Sequence, residues 1–470
     1  MPNVESSGIR LSARDWFAVF FGLFLGLALL KFGNPVVLES KISVPKTPAE
    51  FLSYAWPPKW SLWFLAPLTL YGLVLGVSSK PRWPGSRWLW ILPIVWLGWQ
   101  GVAATQTVDS ALTGATLWHF AALVGCYFTG VLVLGDDRCL KLLLIGLLAS
   151  FAFCLVRSAN QKFVEFPQEY RFLTESERVG WTNVPPEILL EMKQEGSVIT
   201  TNGIDVANPV LVKKYEKGRT FGTLVYPNAL AGAVLLLFPV SIVLAVSGTR
   251  RFRPMTRWVG IGLTLFLGVG ALFWTGSKSG WLIALILIGI WLFRLIESSR
   301  VKWTALAMVV LVGLGFFGIR FKSYFATGAT SVSARLDYWR AAVQTTVRNP
   351  VFGTGPGTFQ RPYEQIKAPE AEMARLTHND YLEQFSDSGL VGGLAYATWV
   401  ILLVTTMARR AWKTSQPVHF AIFLGCLGWF IQGFSEFGLY VPALAWTAFL
   451  LGGILLGVTG NQIDKPKQPH

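Results

Sequence analysis

The sequence predicts an all-α polytopic membrane protein with about twelve transmembrane helices and two long loops on the outer side of the membrane. Of the 470 residues, 52% are hydrophobic and only 14% are charged, which is far from the charge content of a soluble multidomain protein. Apolar runs of about 20 residues recur along the chain, and each is long enough to cross a hydrocarbon core as a helix. Two long polar stretches interrupt these runs.

The apolar runs form groups of five, four and three. The first run follows a mildly basic start without a small-residue cleavage site, so we expect a retained helix. The predicted spans lie near residues 15–31, 58–78, 87–103, 115–134, 141–157, 228–247, 257–274, 280–296, 303–319, 389–407, 417–434 and 440–458. The predicted regions are a five-helix membrane region (1–157), a first long loop (158–227), a four-helix membrane region (228–319), a second long loop (320–388), and a three-helix membrane region with a tail (389–470).

The short connections between the runs indicate the orientation, because Lys and Arg in short loops stay cytoplasmic. One set of connections is basic and contains Lys80, Arg82, Arg87, Arg138, Lys141, Arg250, Arg251, Arg253, Arg257, Arg300, Lys302, Arg409, Arg410 and Lys413. The opposite connections 104–114 and 435–439 carry no Lys or Arg, and 275–279 carries only Lys278. Both termini are therefore predicted to be cytoplasmic, and both long loops face outward.

The charge and the cysteines exclude two further classes of protein. A formal net charge of +15 is typical of nucleic-acid binding, but much of the excess lies in the basic hairpins, so we expect membrane lipids and no nucleic acid as partners. The four cysteines lie in or beside spans, so the outward loops hold no disulfide framework and no CxxC metal site. These loops also lack a paired-aspartate motif or a histidine–carboxylate cluster, and we expect no metal.

The second long loop has the more regular pattern. From Ser333 the sequence predicts an amphipathic helix that ends at Asn349-Pro350. Its apolar residues at helical spacing are Leu336, Trp339, Val343 and Val347. Arg335 and Arg340 lie off this stripe, where a solvated or headgroup-facing charge is the simplest interpretation.

A glycine-rich stretch, 353–359, follows that helix and superficially resembles a phosphate-binding loop. It lacks the Lys-Ser/Thr ending and the preceding strand that such a loop requires. We therefore expect a tight turn that lets the backbone pack closely, although free amides in such a turn can assist a phosphate.

Residues 377–389 have the pattern of a capped helix, with Thr377 at the N-cap and Gly389 near the end. Among the four histidines, only His378 lies in a long outward loop, and both a surface role and a catalytic one fit it. Lys278, in the tight turn 275–280, fits either snorkelling to the interface or a fixed cation for a lipid-linked phosphate.

Together these segments resemble the O-antigen ligase and O-antigen polymerase family of bacterial membrane glycosyltransferases, and the ligase is favoured. The most specific match is His378-Asn379, followed by Gly389 and Gly392 in the ligase spacing H-N-x9-G-x-x-G. Supporting matches are Arg219, Gly222 and Pro227-Asn228, the turn 277–280, and Arg335, Trp339, Pro350, Gly353, Gly355 and Phe359. The family pattern favours Arg where this chain has Lys278, which keeps the charge but lacks a bidentate fork.

The resemblance implies a GT-C-like glycosyltransferase architecture in the bacterial inner membrane, with the active site facing the periplasm. It implies transfer of a glycan from undecaprenyl pyrophosphate to a hydroxyl of the lipid A-core in lipopolysaccharide biosynthesis, with inversion and without cofactor, metal or ATP. Arg219, Arg335 and Lys278 would bind the pyrophosphate, and His378 would accept the proton of the acceptor hydroxyl. Asn379 and Glu383 would support the site, Glu383 by orienting His378.

Two alternatives stay open at this point. An O-antigen or exopolysaccharide polymerase would use another lipid-linked glycan as its acceptor. A polysaccharide flippase or other transporter would also have many helices, but ion-coupled transport tends to place ionisable residues deep within spans. Here such residues gather in loops and at helix ends.

Overall fold

The computed structural model describes residues 11–77, 86–322, 324 and 330–457, and this part of the chain is mostly helical. Lys80 and Arg82 of a predicted cytoplasmic hairpin, and the predicted tail after residue 457, lie outside it. The helices are α1 (Ala13–Lys31), α2 (Pro48–Ser53), α3 (Pro58–Val77), α4 (Trp88–Ala104), α5 (Ser110–Leu132), α6 (Asp137–Asn160), α7 (Phe166–Arg178), α8 (Pro186–Gln194), α9 (Pro209–Lys217), α10 (Pro227–Gly248), α11 (Pro254–Thr275), α12 (Lys278–Leu295), α13 (Ser299–Arg320), α14 (Thr330–Arg348), α15 (Gln360–Ile366), α16 (Asp380–Lys413), α17 (Pro417–Gln432) and α18 (Pro442–Gly457).

The predicted membrane spans are all occupied by apolar helices. Eight helices of the described chain are long and apolar enough to cross a membrane, and α4, α17 and α18 are shorter apolar helices. The remaining predicted span coincides with α3. The chain is therefore an all-α polytopic membrane protein, as the sequence predicts.

Small residues allow the closest helix pairs to form. Gly22 of α1 lies against the backbone of Leu143 on α6, and Gly130 of α5 lies against the backbone of Leu450 on α18. A side chain at either glycine would collide with the opposing backbone. Such close backbone approach is a usual source of helix association in membranes, where burial of apolar surface from water contributes little.

The first long connection forms a small folded unit rather than an open loop. Helix α6 continues through a π-helical turn, Gln161–Glu165, into α7, and a two-stranded antiparallel hairpin lies between α8 and α9. Its strands, β1 (Val198–Thr201) and β2 (Ile204–Ala207), pair from Val198↔Ala207 to Thr201↔Ile204. The unit has its own buried apolar cluster, formed by Leu173, Trp181, Val184, Val198 and Ala207.

The second long connection contains the amphipathic helix that the sequence predicts, α14, which ends at Arg348. The face on which it packs differs from the predicted stripe. Leu336, Val343 and Val347 are half exposed or more, whereas Ala341 and Ala342 are buried. The packed face is formed by Tyr338, Ala341 and Ala342, and Trp339 of the predicted stripe also packs against this cluster.

Candidate functional site

The candidate site lies where several helix ends meet. Helices α10, α12, α16 and α18 begin at this end of the bundle, and α11, α13 and α17 end there. Backbone groups at helix ends have no partners within their own helix and attract polar side chains. We call this end of the bundle the site end.

Arg219 is held at the C-terminal end of α11. Its Nε donates to the carbonyl of Thr275 at 2.6 Å, and its terminal nitrogen donates to Asn228 Oδ1 at 3.0 Å. A cation at the C-terminus of a helix is favoured by the helix dipole and satisfies a carbonyl with no helical partner. Pro227 is the first residue of α10, as the sequence predicts, and this places Asn228 in the first turn beside Arg219.

The turn that carries Lys278 is as tight as the sequence predicts. Gly276 ends α11 in the left-handed conformation, and the side chain of Ser277 caps α12, which begins at Lys278. Lys278 Nζ lies 3.7 Å from the ring centroid of Tyr324 and has no carboxylate in salt-bridge distance among the described residues. The charges that act on it are those of the cations Arg219, Arg335, Lys217 and Arg320.

Arg335 points from α14 towards the site end and is only 20% exposed at its side chain. It forms an ion pair with Oε1 of Glu436, so the interpretation as a solvated or headgroup-facing charge is wrong for this residue. Its Nε is buried and has no hydrogen-bond partner in the described chain. A buried guanidinium N–H of this kind is a ready donor for an anionic ligand.

His378 lies just before α16, not in its first turn. The N-cap is Asn379, whose Oδ1 accepts from the backbone of Tyr381 and Leu382, each at 3.1 Å. The prediction of Thr377 as N-cap is therefore wrong. His378 has a left-handed backbone (φ +52°), which breaks the helix after Thr377, and the Thr377 hydroxyl instead closes a local turn with Asn379.

Glu436 connects these residues. It lies in the 433–441 turn between α17 and α18 and is 2% exposed. Besides Arg335, its Oε1 accepts from Asn228 Nδ2 at 2.6 Å. Its Oε2 lies 3.3 Å from His378 Nδ1 and 3.3 Å from the hydroxyl of Tyr226.

Sequence reasoning assigned no role to Glu436. The sequence does contain an indication of its role: Glu436 is an acidic residue in a short turn between two apolar runs, with no Lys or Arg near it in sequence. A carboxylate at such a depth needs a partner from elsewhere in the chain. In the structure that partner comes from α14, about a hundred residues earlier in the chain.

Asp380 fixes the 433–441 turn on α16. The two carboxylate oxygens of Asp380 each accept from the backbone of Leu439 at 3.1 Å, and the backbone N–H of Asp380 donates to the carbonyl of Gly433 at 2.7 Å. The turn is thus joined at both ends to the first residue of α16. This sets the position of Glu436 relative to His378.

The imidazole of His378 lies between two aromatic rings. Tyr338 stacks on it at 5.9 Å, and Phe437 meets it edge-on at 4.7 Å, measured between ring centroids. Its side chain is 29% exposed. Nδ1 faces Glu436, and Nε2 has no hydrogen-bond partner among the residues described, so it is available to a ligand.

The geometry does not meet the expectation that Glu383 orients His378. Glu383 is fully buried, and its Oε2 accepts from the backbone N–H of Thr377 at 2.5 Å. It therefore holds the backbone beside His378, while Glu436 contacts the imidazole. Asn379 acts through its capping bonds to the backbone of Tyr381 and Leu382.

The glycine-rich stretch 353–359 is a packing turn. The amides of Thr354, Gly355 and Gly357 donate to the carbonyl of Ser386, the carbonyl of Asp387 and the carboxylate of Asp387. A side chain at Gly353 would collide with the backbone of Asp387. These amides are all used within the protein, so they are not free to assist a phosphate.

Gly389 and Gly392, the two motif glycines of α16, also allow the glycine-rich turn to pack against this helix. Ser388 and Gly389 interrupt the helix, and Gly389 has φ +67°. A Cβ at Gly389 would collide with the carbonyl of Val351, while Gly392 leaves room for the hydroxyl of Ser388. The motif spacing thus fixes a kink that seats residues 350–357 against the start of α16.

Gly389→Ala should lower the stability of the protein by about 2 kcal/mol or more. Alanine is strained in the left-handed backbone conformation, and its Cβ collides with Val351. Thermal unfolding of the purified protein in detergent measures this as a lowered Tm. Gly98→Ala on α4 is the matched control, since nothing lies within 4 Å of its added Cβ. An unchanged Tm for Gly389→Ala would contradict the packing role.

Charge in the site is predominantly positive. Burial lowers the pKa of the Arg219 guanidinium, Glu436 raises it, and Arg335 lowers it; the group nevertheless stays charged, since an arginine pKa lies far above 7. Burial and the Glu436 carboxylate raise the pKa of Tyr226 well above its usual value. Tyr226 therefore remains a hydroxyl and donates to Glu436.

The arrangement combines two chemical functions on one carboxylate. Cations that suit a phosphorylated ligand lie on the Oε1 side of Glu436, and an imidazole with an open nitrogen lies on the Oε2 side. A carboxylate bonded to Nδ1 keeps the proton on that nitrogen and leaves Nε2 as the acceptor. The site is therefore equipped to bind an anionic leaving group and to accept a proton nearby.

Comparison with known proteins adds one finding. Residues 263–397 match the family model described as O-antigen ligase, which agrees with the resemblance seen in the sequence. The matched residues include Lys278, Arg335 and His378, whereas Arg219 and Glu436 lie outside them. A search of curated proteins gave no match.

Proposed function

Because the chain carries an O-antigen ligase family domain, we propose that it transfers a glycan from undecaprenyl pyrophosphate to a hydroxyl of the lipid A-core. The reaction takes place at the periplasmic face of the bacterial inner membrane, with both termini in the cytoplasm. The observation that carries the proposal is the shared carboxylate: Glu436 binds Arg335 through one oxygen and His378 through the other.

The proposed donor already has a good leaving group. When the acceptor oxygen attacks the anomeric carbon, the bond from that carbon to the phosphate oxygen breaks and its electron pair leaves with the pyrophosphate. Arg219, Arg335 and Lys278 lie where they can stabilise this charge, and fixed cations contribute most when they face charge that develops in the transition state. Neither a metal nor ATP is needed for this step.

His378 accepts the proton of the acceptor hydroxyl at Nε2. The imidazolium that forms keeps its Nδ1–H on Glu436, whose carboxylate stabilises the positive charge. A single displacement of this kind inverts the configuration of the anomeric carbon. Asn379 holds the start of α16, and Glu383 holds the backbone next to His378.

Deletion of the gene, followed by analysis of lipid-linked and lipid-A-linked glycan, tests the proposal. Long glycan chains stranded on undecaprenyl pyrophosphate are expected for a ligase. Single repeat units on the carrier would instead indicate the alternative, an O-antigen or exopolysaccharide polymerase. Failure of the purified protein to transfer glycan between purified lipids, with donor accumulating on the cytoplasmic side in the deletion strain, would indicate a flippase or transporter.

Glu436→Gln should lower kcat by about a hundredfold while the KM for the lipid-linked donor does not rise. Glutamine keeps the shape of the side chain but loses the negative charge that stabilises the imidazolium, so kcat falls. The positive charge of the donor site is then less neutralised, so binding of the anionic donor is not weakened. Steady-state kinetics with purified donor and acceptor separate the two parameters.

Two further variants make this measurement specific. Glu436→Asp keeps the charge and should recover part of kcat, which a purely structural role would not predict. Glu187→Gln, at an exposed position on α8, is the matched control and should behave as wild type. A normal kcat for Glu436→Gln would exclude the positioning role of Glu436.

A further inference from the structure

Two adjoining cavities lie beside each other, and one of them is lined by the segment just before His378. Their volumes are about 490 and 410 Å³, and they share the lining residues Val37, Ser40, Ala111 and Leu112. Met373 and Arg375, which line the second cavity, precede His378 by only a few residues. We call the two cavities together the amphipathic groove.

The inner half of the groove is lined largely by apolar side chains. Leu62 of α3, Ala115 and Trp118 of α5, and Trp446 of α18 line it, and all lie within the first three turns of their helices. These helices begin at the site end, so the inner half opens between apolar helices just below that end. This is the depth at which the tail of a membrane lipid lies.

His119 contributes a buried ring nitrogen that has no partner among the residues that the structure describes. His119 lines the cavity and is 1% exposed. Its Nε2 lies 2.7 Å from the carbonyl of Leu439, so Nε2 carries the proton and Nδ1 is an acceptor. Nδ1 is buried and unpaired within the described chain, so a hydroxyl or amide donor on a bound lipid would satisfy it.

The outer half of the groove is charged and has unpaired cations. Its two carboxylates, Asp109 and Glu364, both pair with Arg361, at 2.7 and 4.0 Å. Lys41 and Arg375 line the same cavity, and neither has an ion pair or hydrogen bond from its side chain in the part of the chain that the structure describes. Two free cations above an apolar slot suit a lipid whose headgroup is anionic.

We propose that the amphipathic groove binds the acceptor glycolipid, with an acyl chain in the inner half and a headgroup phosphate at Lys41 and Arg375. The proposal rests on the proposed function for the identity of the acceptor. It assigns a lipid site separate from Arg219, Arg335 and Lys278, where the donor pyrophosphate binds.

The position of the groove fits the approach of an acceptor to His378. Helix α15 carries Arg361 on the groove side and Tyr363 on its packed side, and Tyr363 meets Tyr338 edge-on at 5.3 Å. Tyr338 stacks on one side of His378, and the 433–441 turn with Phe437 lies on another. His378 therefore lies between the groove wall and the carboxylate that binds Arg335. An acceptor anchored in the groove and a donor held by the arginines would therefore approach the imidazole from different sides.

Ala115→Trp tests the inner half, because the indole would fill the apolar slot. The KM for a purified lipid A-core acceptor should rise about tenfold or more, equivalent to about 1.4 kcal/mol of binding, while the KM for the lipid-linked donor stays within twofold. The matched control is Ala307→Trp on the exposed side of α13, which should change neither KM.

The paired substitution Lys41→Glu with Arg375→Glu tests the outer half. It should raise the acceptor KM by tenfold or more, and the exposed Lys213→Glu serves as its control. Native mass spectrometry of the full-length protein gives a readout that does not depend on catalysis: wild type should retain lipid A-core, and both groove variants should lose it.

Phosphatidylglycerol in the same experiment distinguishes the acceptor from a bilayer phospholipid. An unchanged acceptor KM in the groove variants would overturn the proposal, as would loss of phosphatidylglycerol alone from Ala115→Trp. A wild-type protein that transfers no glycan would refute the proposed function. In that case retention of lipid A-core by wild type and its loss from both variants would still support the groove as a lipid site.

Discussion

His378→Asn should lower the rate of glycan transfer by about a hundredfold or more, because no other described side chain in the site offers a nitrogen that accepts a proton beside Glu436. Asparagine tolerates the left-handed backbone of residue 378 better than most residues. The substitution therefore removes the imidazole with little change in the turn before α16. Transfer from purified lipid-linked donor to acceptor measures the rate.

His378→Gly is a second variant that also removes the imidazole but affects the backbone of residue 378 differently. Glycine relieves the left-handed backbone altogether but loses the imidazole's contacts with Tyr338, Phe437 and Glu436. This protein should be as inactive as His378→Asn and should unfold at about the same temperature as that variant. Loss of activity in both variants with retained Tm points to the imidazole itself. Full transfer by either variant would refute a catalytic role of His378.

Arg335→Ala should lower transfer by about a hundredfold to a thousandfold, the usual effect of removing one preorganised donor to developing negative charge. The substitution also removes the cation bound to Oε1 of Glu436. The carboxylate keeps its bonds from Asn228 and Tyr226, but its buried charge loses a cation, so the stability of the protein should also fall. The loss should appear both as a higher donor KM and as a lower kcat.

Arg340→Ala is the matched control for this prediction. Arg340 lies on the same helix, α14, and is 71% exposed; among the described residues it pairs only with Asp337 one turn earlier. Exposed pairs of this type contribute at most about 1 kcal/mol, so this variant should transfer glycan like wild type. Equal losses from Arg335→Ala and Arg340→Ala would indicate general damage to α14 and would contradict a specific phosphate contact.

Much of the fold follows from local pattern. Each predicted span contains an apolar helix, and the starts of α10 and α12 lie where Pro227 and the turn 275–280 indicate. These features depend on neighbours in sequence, through hydrophobic run length and helix-end residues. The capping of α16 shows the limit of such reasoning. Thr377 and Asn379 are both good N-caps, and the left-handed backbone of His378 decided between them.

The sequence pattern also failed to predict which face of α14 packs against the protein. Leu336, Val343 and Val347 of the predicted stripe are exposed, yet the helix packs through Tyr338, Ala341 and Ala342. Near a membrane, an apolar side chain has favourable surroundings both in the protein and in lipid. Hydrophobicity alone therefore does not identify the face that meets the protein.

The sequence by itself determined the membrane class, the membrane-spanning helices and α14, and the residues His378, Arg335, Arg219 and Lys278 as candidates, because run length, motif spacing and residue chemistry are local properties. Only the tertiary structure decided how these residues combine. Glu436 joins Arg335, His378 and Asn228 across three separate parts of the chain. A buried carboxylate must find its partners wherever the packed helices bring them, and that information does not lie in the neighbouring sequence.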